Sequence, residues 1–169
     1  DLYISPCQNA CPAGMNAPGY ISLIGEGRFT EALALALDTN PFPSVCGRIC
    51  DHQCMYKCRR NQIDEPVAIR SLKRFIGDYV ENNIDYPPII YPKATMPFKV
   101  AIVGAGPAGL SCAYFLARLG YKPTLFEKLP VAGGMMAVAI PEYRLPKKIL
   151  QREIDNIKKL GVDIRLNTE

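Results

Sequence analysis

Cys7 and Cys11 form a Cys-x3-Cys-Pro, and Cys46, Cys50, Cys54 and Cys58 follow at strict four-residue steps. On a helix or through tight turns, that spacing sets successive Cβ atoms roughly 5–6 Å apart, a separation suited to sharing a metal or a cluster. Three chemistries compete for such thiols. A disulfide framework suits an even set, but nothing in the chain looks secreted and i, i+4 pairs on a helix are poorly placed for bridging. Structural zinc tolerates three-residue gaps, although it needs only four of the six thiols. Iron-sulfur ligation also fits, since clustered thiolates closing with Cys-Pro, as in Cys11-Pro12, are typical of chains that hold cubane clusters. Arg48, Lys57, Arg59 and Arg60 lie within or beside the run. Either they offset the charge of a thiolate-held cluster or they form a solvated face.

The remaining composition excludes several classes. A net charge of +4 over 169 residues is too mild for nucleic-acid binding, and no aromatic-basic interleaving supports it. No apolar run approaches the length of a membrane span and no signal peptide is visible. Thiols in this number, without secretory signals, point to a reducing cytoplasm. The first residue is Asp1 rather than methionine, as at a processed or truncated end.

Two units are legible, with a boundary in the proline-rich stretch from Tyr86 to Pro97, giving residues 1–95 and 96–169. The first reads as all-α. Helices are expected near Ala17–Gly25 and near Thr30–Leu37, the second carrying Ala32, Leu33, Leu35, Ala36 and Leu37. A longer one after the cysteines would take Pro66 in its first turn, with Val67, Ile69, Leu72, Phe75, Ile76, Tyr79 and Val80 at helical spacing. The second unit changes to strand, helix, strand, helix, an α/β order.

Phe98 to Val103 reads as a buried strand entering Gly104-Ala105-Gly106-Pro107-Ala108-Gly109, with a helix following to Gly120. This is G-x-G-x-x-G in its proper context. Gly104 permits the tight turn, Gly106 lets a pyrophosphate approach the backbone, and Gly109 lets helix pack on strand. The helix N-terminus faces the phosphate charge. A second strand, Thr124-Leu125-Phe126, ends in Glu127, where an acid can bind ribose hydroxyls and disfavours a 2′-phosphate, leaving FAD or NAD. Gly133-Gly134 allows a further close backbone approach, or is an ordinary turn. From Lys147 to Leu160 the residues Ile149, Leu150, Ile154, Ile157 and Leu160 share a helical face, with Gly161 as cap before a strand, Val162 to Leu166. His52, the one histidine, sits among the cysteines and is expected to face solvent rather than a metal.

Taken together, Cys-x3-Cys-Pro, Asn40-Pro41-Phe42-Pro43-Ser44-Val45-Cys46-Gly47-Arg48-Ile49-Cys50, Glu65-Pro66-Val67-Ala68-Ile69, the glycine loop and Ile140-Pro141-Glu142-Tyr143-Arg144-Leu145-Pro146 resemble the glutamate synthase small (β) subunit family. The N-terminal part of dihydropyrimidine dehydrogenase is similar. The resemblance implies an all-α iron-sulfur domain with 4Fe-4S clusters, followed by the first part of an α/β Rossmann-like FAD-binding domain. It also implies that the cysteines at Cys7 and Cys58 serve one cluster, with two ligands upstream of Asp1, while Cys11, Cys50 and Cys54 serve another. The fourth ligand of that second cluster comes from the following helix, a glutamine in the pyrimidine enzyme. Lys73 stands there in this chain. An ammonium does not ligate iron, so Cys46 becomes a candidate, its other reading being a small buried residue.

For FAD the resemblance assigns Gly104 and the run Ala105, Gly106, Pro107, Ala108 and Gly109, then Glu127, Lys128, Gly133, Gly134, Met135 and Arg144. The implied parent is an NADPH-dependent flavin and iron-sulfur oxidoreductase that delivers electrons to a partner subunit, and this stretch alone is expected to be inactive. The rival reading is a protein-interaction module with structural zinc or a redox-silent cluster.

Overall fold

The computed structural model describes residues 3–83 and 96–169. The chain divides into two compact units, Asp1–Pro88 and Ile89–Glu169. The proline-rich stretch lies, apart from Met96 and Pro97, outside the described residues. Among the described residues no helix is long and apolar enough to cross a membrane.

The first unit is helical: α1 (Pro6–Asn9), α2 (Ala17–Gly25), α3 (Phe29–Leu37), α4 (Pro43–Ile49), α5 (Gln53–Tyr56), a 3-10 turn (Arg59–Gln62) and α6 (Ile69–Asn83). Local chemistry sets several starts. Ser5 and Asn16 cap α1 and α2 by accepting the Gln8 and Gly19 N–H groups, and proline stands in the first turn of α1, α2 and α4. The expected helix after the cysteines is α6, but it begins at Ile69. Pro66 and Val67 precede it, and Ile69 N–H turns back to the Val67 carbonyl at 2.7 Å.

The buried face of α6 is Ile69, Lys73, Ile76 and Val80, spaced four, three and four residues apart. Phe75, expected in the core, is 41% exposed and packs edge-on against Phe29 beside Tyr79. Helices α4 and α6 cross closely because each turns a glycine, Gly47 or Gly77, toward the other. A Cβ at Gly47 would stand 2.9 Å from the Arg74 Cα, and one at Gly77 would collide with the Ser44 hydroxyl. Arg48 reaches across the same crossing to Asp78 at 2.5 Å and also donates to the Ser44 carbonyl one turn back in its own helix. Approach at this range brings the C-terminal end of α4, where Cys50 sits, against the first turns of α6 at Arg70 and Lys73.

The second unit consists of β1 (Lys99–Val103), α7 (Pro107–Arg118), β2 (Lys122–Phe126), α8 (Met135–Val138), α9 (Lys147–Lys159) and β3 (Asp163–Arg165). The strands form a parallel sheet in the order β1-β2-β3, with Val103 opposite Phe126 and Phe126 opposite Arg165. Strand β2 starts two residues before the expected Thr124. Pro123, which lacks an N–H, lies inside it. Leu110, Ala113, Tyr114 and Ala117 of α7 are buried with Leu125 of β2, and α9 buries Ile149, Leu150, Ile154 and Ile157 along the expected face. Gly161 at φ +85° ends α9 before β3. The one-turn helix α8 has too few residues for periodicity to reveal it.

Candidate functional site

The cysteines do not run along one helix. Cys46 lies inside α4, Cys50 ends it in extended conformation (φ −68°, ψ 151°), His52 turns left-handed, Cys54 lies in α5, and Cys58 is again extended before the 3-10 turn. The chain therefore folds around the thiols rather than presenting them in a row. Cys11, Cys46, Cys50 and Cys54 line one cavity of about 170 Å³, together with Met15, Asn40, His52 and Lys73. Cys7 and Cys58 are half-buried and do not line it. None of the seven cysteines is in a disulfide.

Around this cavity the side chains are held from behind. Asn40, 5% exposed, accepts the Phe42 N–H at 2.9 Å and donates to the Met15 sulfur at 3.3 Å, with the Cys46 thiol 4.0 Å from the same amide oxygen. Arg70 donates to the Cys50 carbonyl at 3.1 Å and lies 3.4 Å from His52 Nδ1. His52 stacks on Tyr56, so its ring is engaged by a cation and an aromatic neighbour. Tyr20, buried behind the thiols, donates its hydroxyl to the Ile69 carbonyl at 3.3 Å. Burial pushes its phenol well above the usual range, and Cys54, Cys11, Cys7 and Cys50 push it further in the same direction. The Cys54 thiol is itself raised by burial, against which the Lys73 ammonium works to favour the thiolate.

Among the described residues no three of His, Cys, Asp or Glu converge tightly enough to hold a single metal ion. The thiols instead stand around a cavity, an arrangement that fits a multi-atom group held at its corners. The donor set is also right for iron and sulfide, being soft thiolate accompanied by cationic groups. Of the basic residues beside the cysteines, Arg48 is spent on Asp78 and Arg60 on Asp64. The cavity's cation is Lys73, at the position where the resemblance implies a fourth cluster ligand.

In the second unit, Gly104 (φ +92°) turns the chain out of β1, and its N–H still reaches the Phe126 carbonyl at 2.8 Å. No side chain caps α7, so its first-turn N–H groups are left for an anion. At Gly109 a Cβ would fall on the Gly104 carbonyl oxygen, so helix and loop touch through bare backbone. Gly133 and Gly134 belong to this same arrangement. Gly133 N–H donates to the Ala105 carbonyl at 2.7 Å, and a Cβ on Gly134 would stand 2.9 Å from the Gly106 Cα. The contact between the two loops requires glycine at position 134, whereas Gly133 is set by its φ of +113° and by Leu150 and Ala137 beside it.

Glu127, 7% exposed, accepts the Ala105 N–H at 2.8 Å with one oxygen and the Leu129 N–H at 2.9 Å with the other. These two bonds hold its carboxyl below the usual range. A carboxylate has about four acceptor positions, so these two bonds do not exhaust it. Lys128, Met135, Arg144, Pro107 and Ala108 are exposed at or beyond this loop. Lys147, not anticipated from sequence, ties α8 to the following turn by donating to the Ile140 carbonyl at 2.8 Å and the Met136 carbonyl at 3.4 Å.

Residues 3–84 match the family described as dihydropyrimidine dehydrogenase domain II, 4Fe-4S cluster, and residues 102–148 match the NAD(P)-binding Rossmann-like domain. The chain is 51% identical to NADPH-Fe(3+) oxidoreductase subunit beta of Geobacter sulfurreducens, over 99% of the chain and 25% of that protein. It is 47% identical to NADP(+)-dependent formate dehydrogenase subunit beta of Moorella thermoacetica, over 97% of the chain and 26% of that protein. Against the glutamate synthase [NADPH] small chain of Escherichia coli identity is 38%, over 96% of the chain and 35% of that protein. It thus spans about a quarter to a third of the length of these relatives. Each of these three alignments runs through both units, and the chain is a homologue of part of the glutamate synthase small chain and its relatives, with a 4Fe-4S domain followed by a Rossmann-like domain.

Proposed function

We propose that this chain is the cluster-bearing and first flavin-binding part of an oxidoreductase subunit that passes electrons between NAD(P)H, FAD and 4Fe-4S clusters to a partner subunit. The observation that carries the reading is the cavity lined by four thiols with a buried ammonium beside them. Cys11, Cys50 and Cys54 hold a cluster there, with Cys46 available on the same wall as the fourth ligand. Cys7 and Cys58 serve a second cluster with ligands from outside the present sequence. When bound, a flavin exchanges electrons in pairs with a nicotinamide, and an iron-sulfur cluster exchanges them singly.

In this reading residues 1–95 are the cluster domain and 96–169 the opening part of the FAD domain. The backbone from Gly104 to Gly109 takes the pyrophosphate, and the free acceptor positions of Glu127 take the adenosine ribose. Lys128, Gly133, Gly134, Met135 and Arg144 border the remainder of the cofactor. Cysteines in this number outside any disulfide suit a reducing compartment, which we take to be the cytoplasm. The names of the relatives, as subunits and a small chain, support a protein electron acceptor.

Anaerobic addition of NADPH and, separately, NADH to the full-length protein tests this function. Bleaching of a bound flavin followed by a paramagnetic cluster signal is the expected result. A flavin that stays oxidised with both nucleotides, or zinc in place of iron and sulfide, contradicts it, and zinc would favour an interaction module.

A further inference from the structure

We infer that Lys73 is the outer-sphere cation of the thiol cavity, donating from its ammonium to the Cys50 sulfur and holding up the reduction potential of the cluster bound there. This inference deepens the function proposed above and rests on it. Lys73 occupies the buried face of α6, between Ile69 and Ile76, and is 6% exposed. Its Nζ stands 3.9 Å from the Cys50 sulfur and 3.9 Å from the Met15 sulfur, both on the cavity wall. A lysine on a buried face ordinarily extends its charged end to water. This one ends against two sulfurs.

Among the described residues no carboxylate pairs with Lys73. A buried ammonium without a counter-charge is strongly disfavoured, and neutral thiol and thioether sulfurs are weak acceptors for it. Thiolates holding an iron-sulfur core supply the missing negative charge. Nearby cations do not substitute for Lys73: Arg48 is paired with Asp78, and Arg70 reaches the Cys50 carbonyl rather than its sulfur. Reduction adds one electron, and so one negative charge, to the bound group. A fixed cation and an N–H···S bond at a ligand sulfur therefore stabilise the reduced form more than the oxidised one.

The test uses the full-length protein assembled anaerobically, with potentials read by redox titration followed by electron paramagnetic resonance. Lys73→Met, which keeps length and burial but removes charge, is expected to shift the cavity cluster to lower potential with iron and sulfide content unchanged. Lys73→Arg is expected to restore most of the shift. In the unsubstituted protein carrying 15N-lysine, electron-nuclear double resonance is expected to show one lysine nitrogen coupled to the reduced cluster, which decides the matter even if a variant fails to fold. An unmoved potential in iron-replete Lys73→Met, loss of iron from that variant's cluster, or no lysine coupling in the unsubstituted protein overturns the inference. Absence of iron and sulfide from the unsubstituted protein is a different failure, that of the cluster reading itself.

Discussion

At the scale of residues, the cavity sorts the cysteines into two groups with different expected behaviour. Cys54 is on the cavity wall, whereas Cys58, four residues on, is outside it. Cys54→Ser is expected to abolish the cavity cluster's resonance signal, and Cys58→Ser to leave that signal in place. The glycine loop offers a second residue-scale prediction. Glu127 ties two backbone N–H groups while buried, so Glu127→Gln, which loses the charge on the acceptor, should cost about 1–3 kcal/mol in denaturant unfolding. The carboxyl of Glu127 is lowered in the folded protein, so its stabilising contribution is complete above about pH 4.3, the ordinary glutamate value. It disappears as pH falls through the lowered value, and the Gln variant should lack that part of the acid dependence.

Among the elements, Gly109 is where α7 meets the loop after β1, and the contact leaves no room for a methyl group. Gly109→Ala is expected to destabilise by roughly 1–3 kcal/mol through forced backbone displacement and to weaken dinucleotide binding, both measurable by thermal unfolding with and without FAD. Truncating Ile154 to Ala on the buried face of α9 should cost about 2–5 kcal/mol without altering the loop. Elements with strong periodicity were legible in the sequence: α2 matches its expected bounds, and α9 shows its stripe of isoleucines and leucine directly. The cysteine run left helix and tight turns equally open, because four-residue spacing fits both, and only the extended backbone at Cys50 and the left-handed His52 decide for turns. The role of Lys73 was written in the stripe Ile69, Lys73, Ile76, Val80, yet spacing alone does not reveal what a buried lysine touches. Gly134, consistent with a plain turn in sequence, acquires its reason only when the Gly106 backbone is brought beside it.

For the molecule as a whole, each compact unit has its own buried core, so cofactor loss should be felt locally. A group that binds only the folded state contributes its binding free energy to stability. Removal of iron by a chelator under reducing conditions is therefore expected to accelerate amide exchange in α1, α4, α5 and the turns after them, which together carry the thiols, while the β1–β3 ladder keeps its protection. Uniform acceleration through both units would contradict that local account. The central claim is that the cavity of Cys11, Cys46, Cys50 and Cys54 holds an iron-sulfur cluster. Its most direct test is metal and sulfide analysis of the anaerobically purified full-length protein and of its Cys54→Ser variant. Iron and acid-labile sulfide in equal amounts, both reduced in the variant, are predicted; zinc without sulfide, or iron content indifferent to Cys54, would contradict the account.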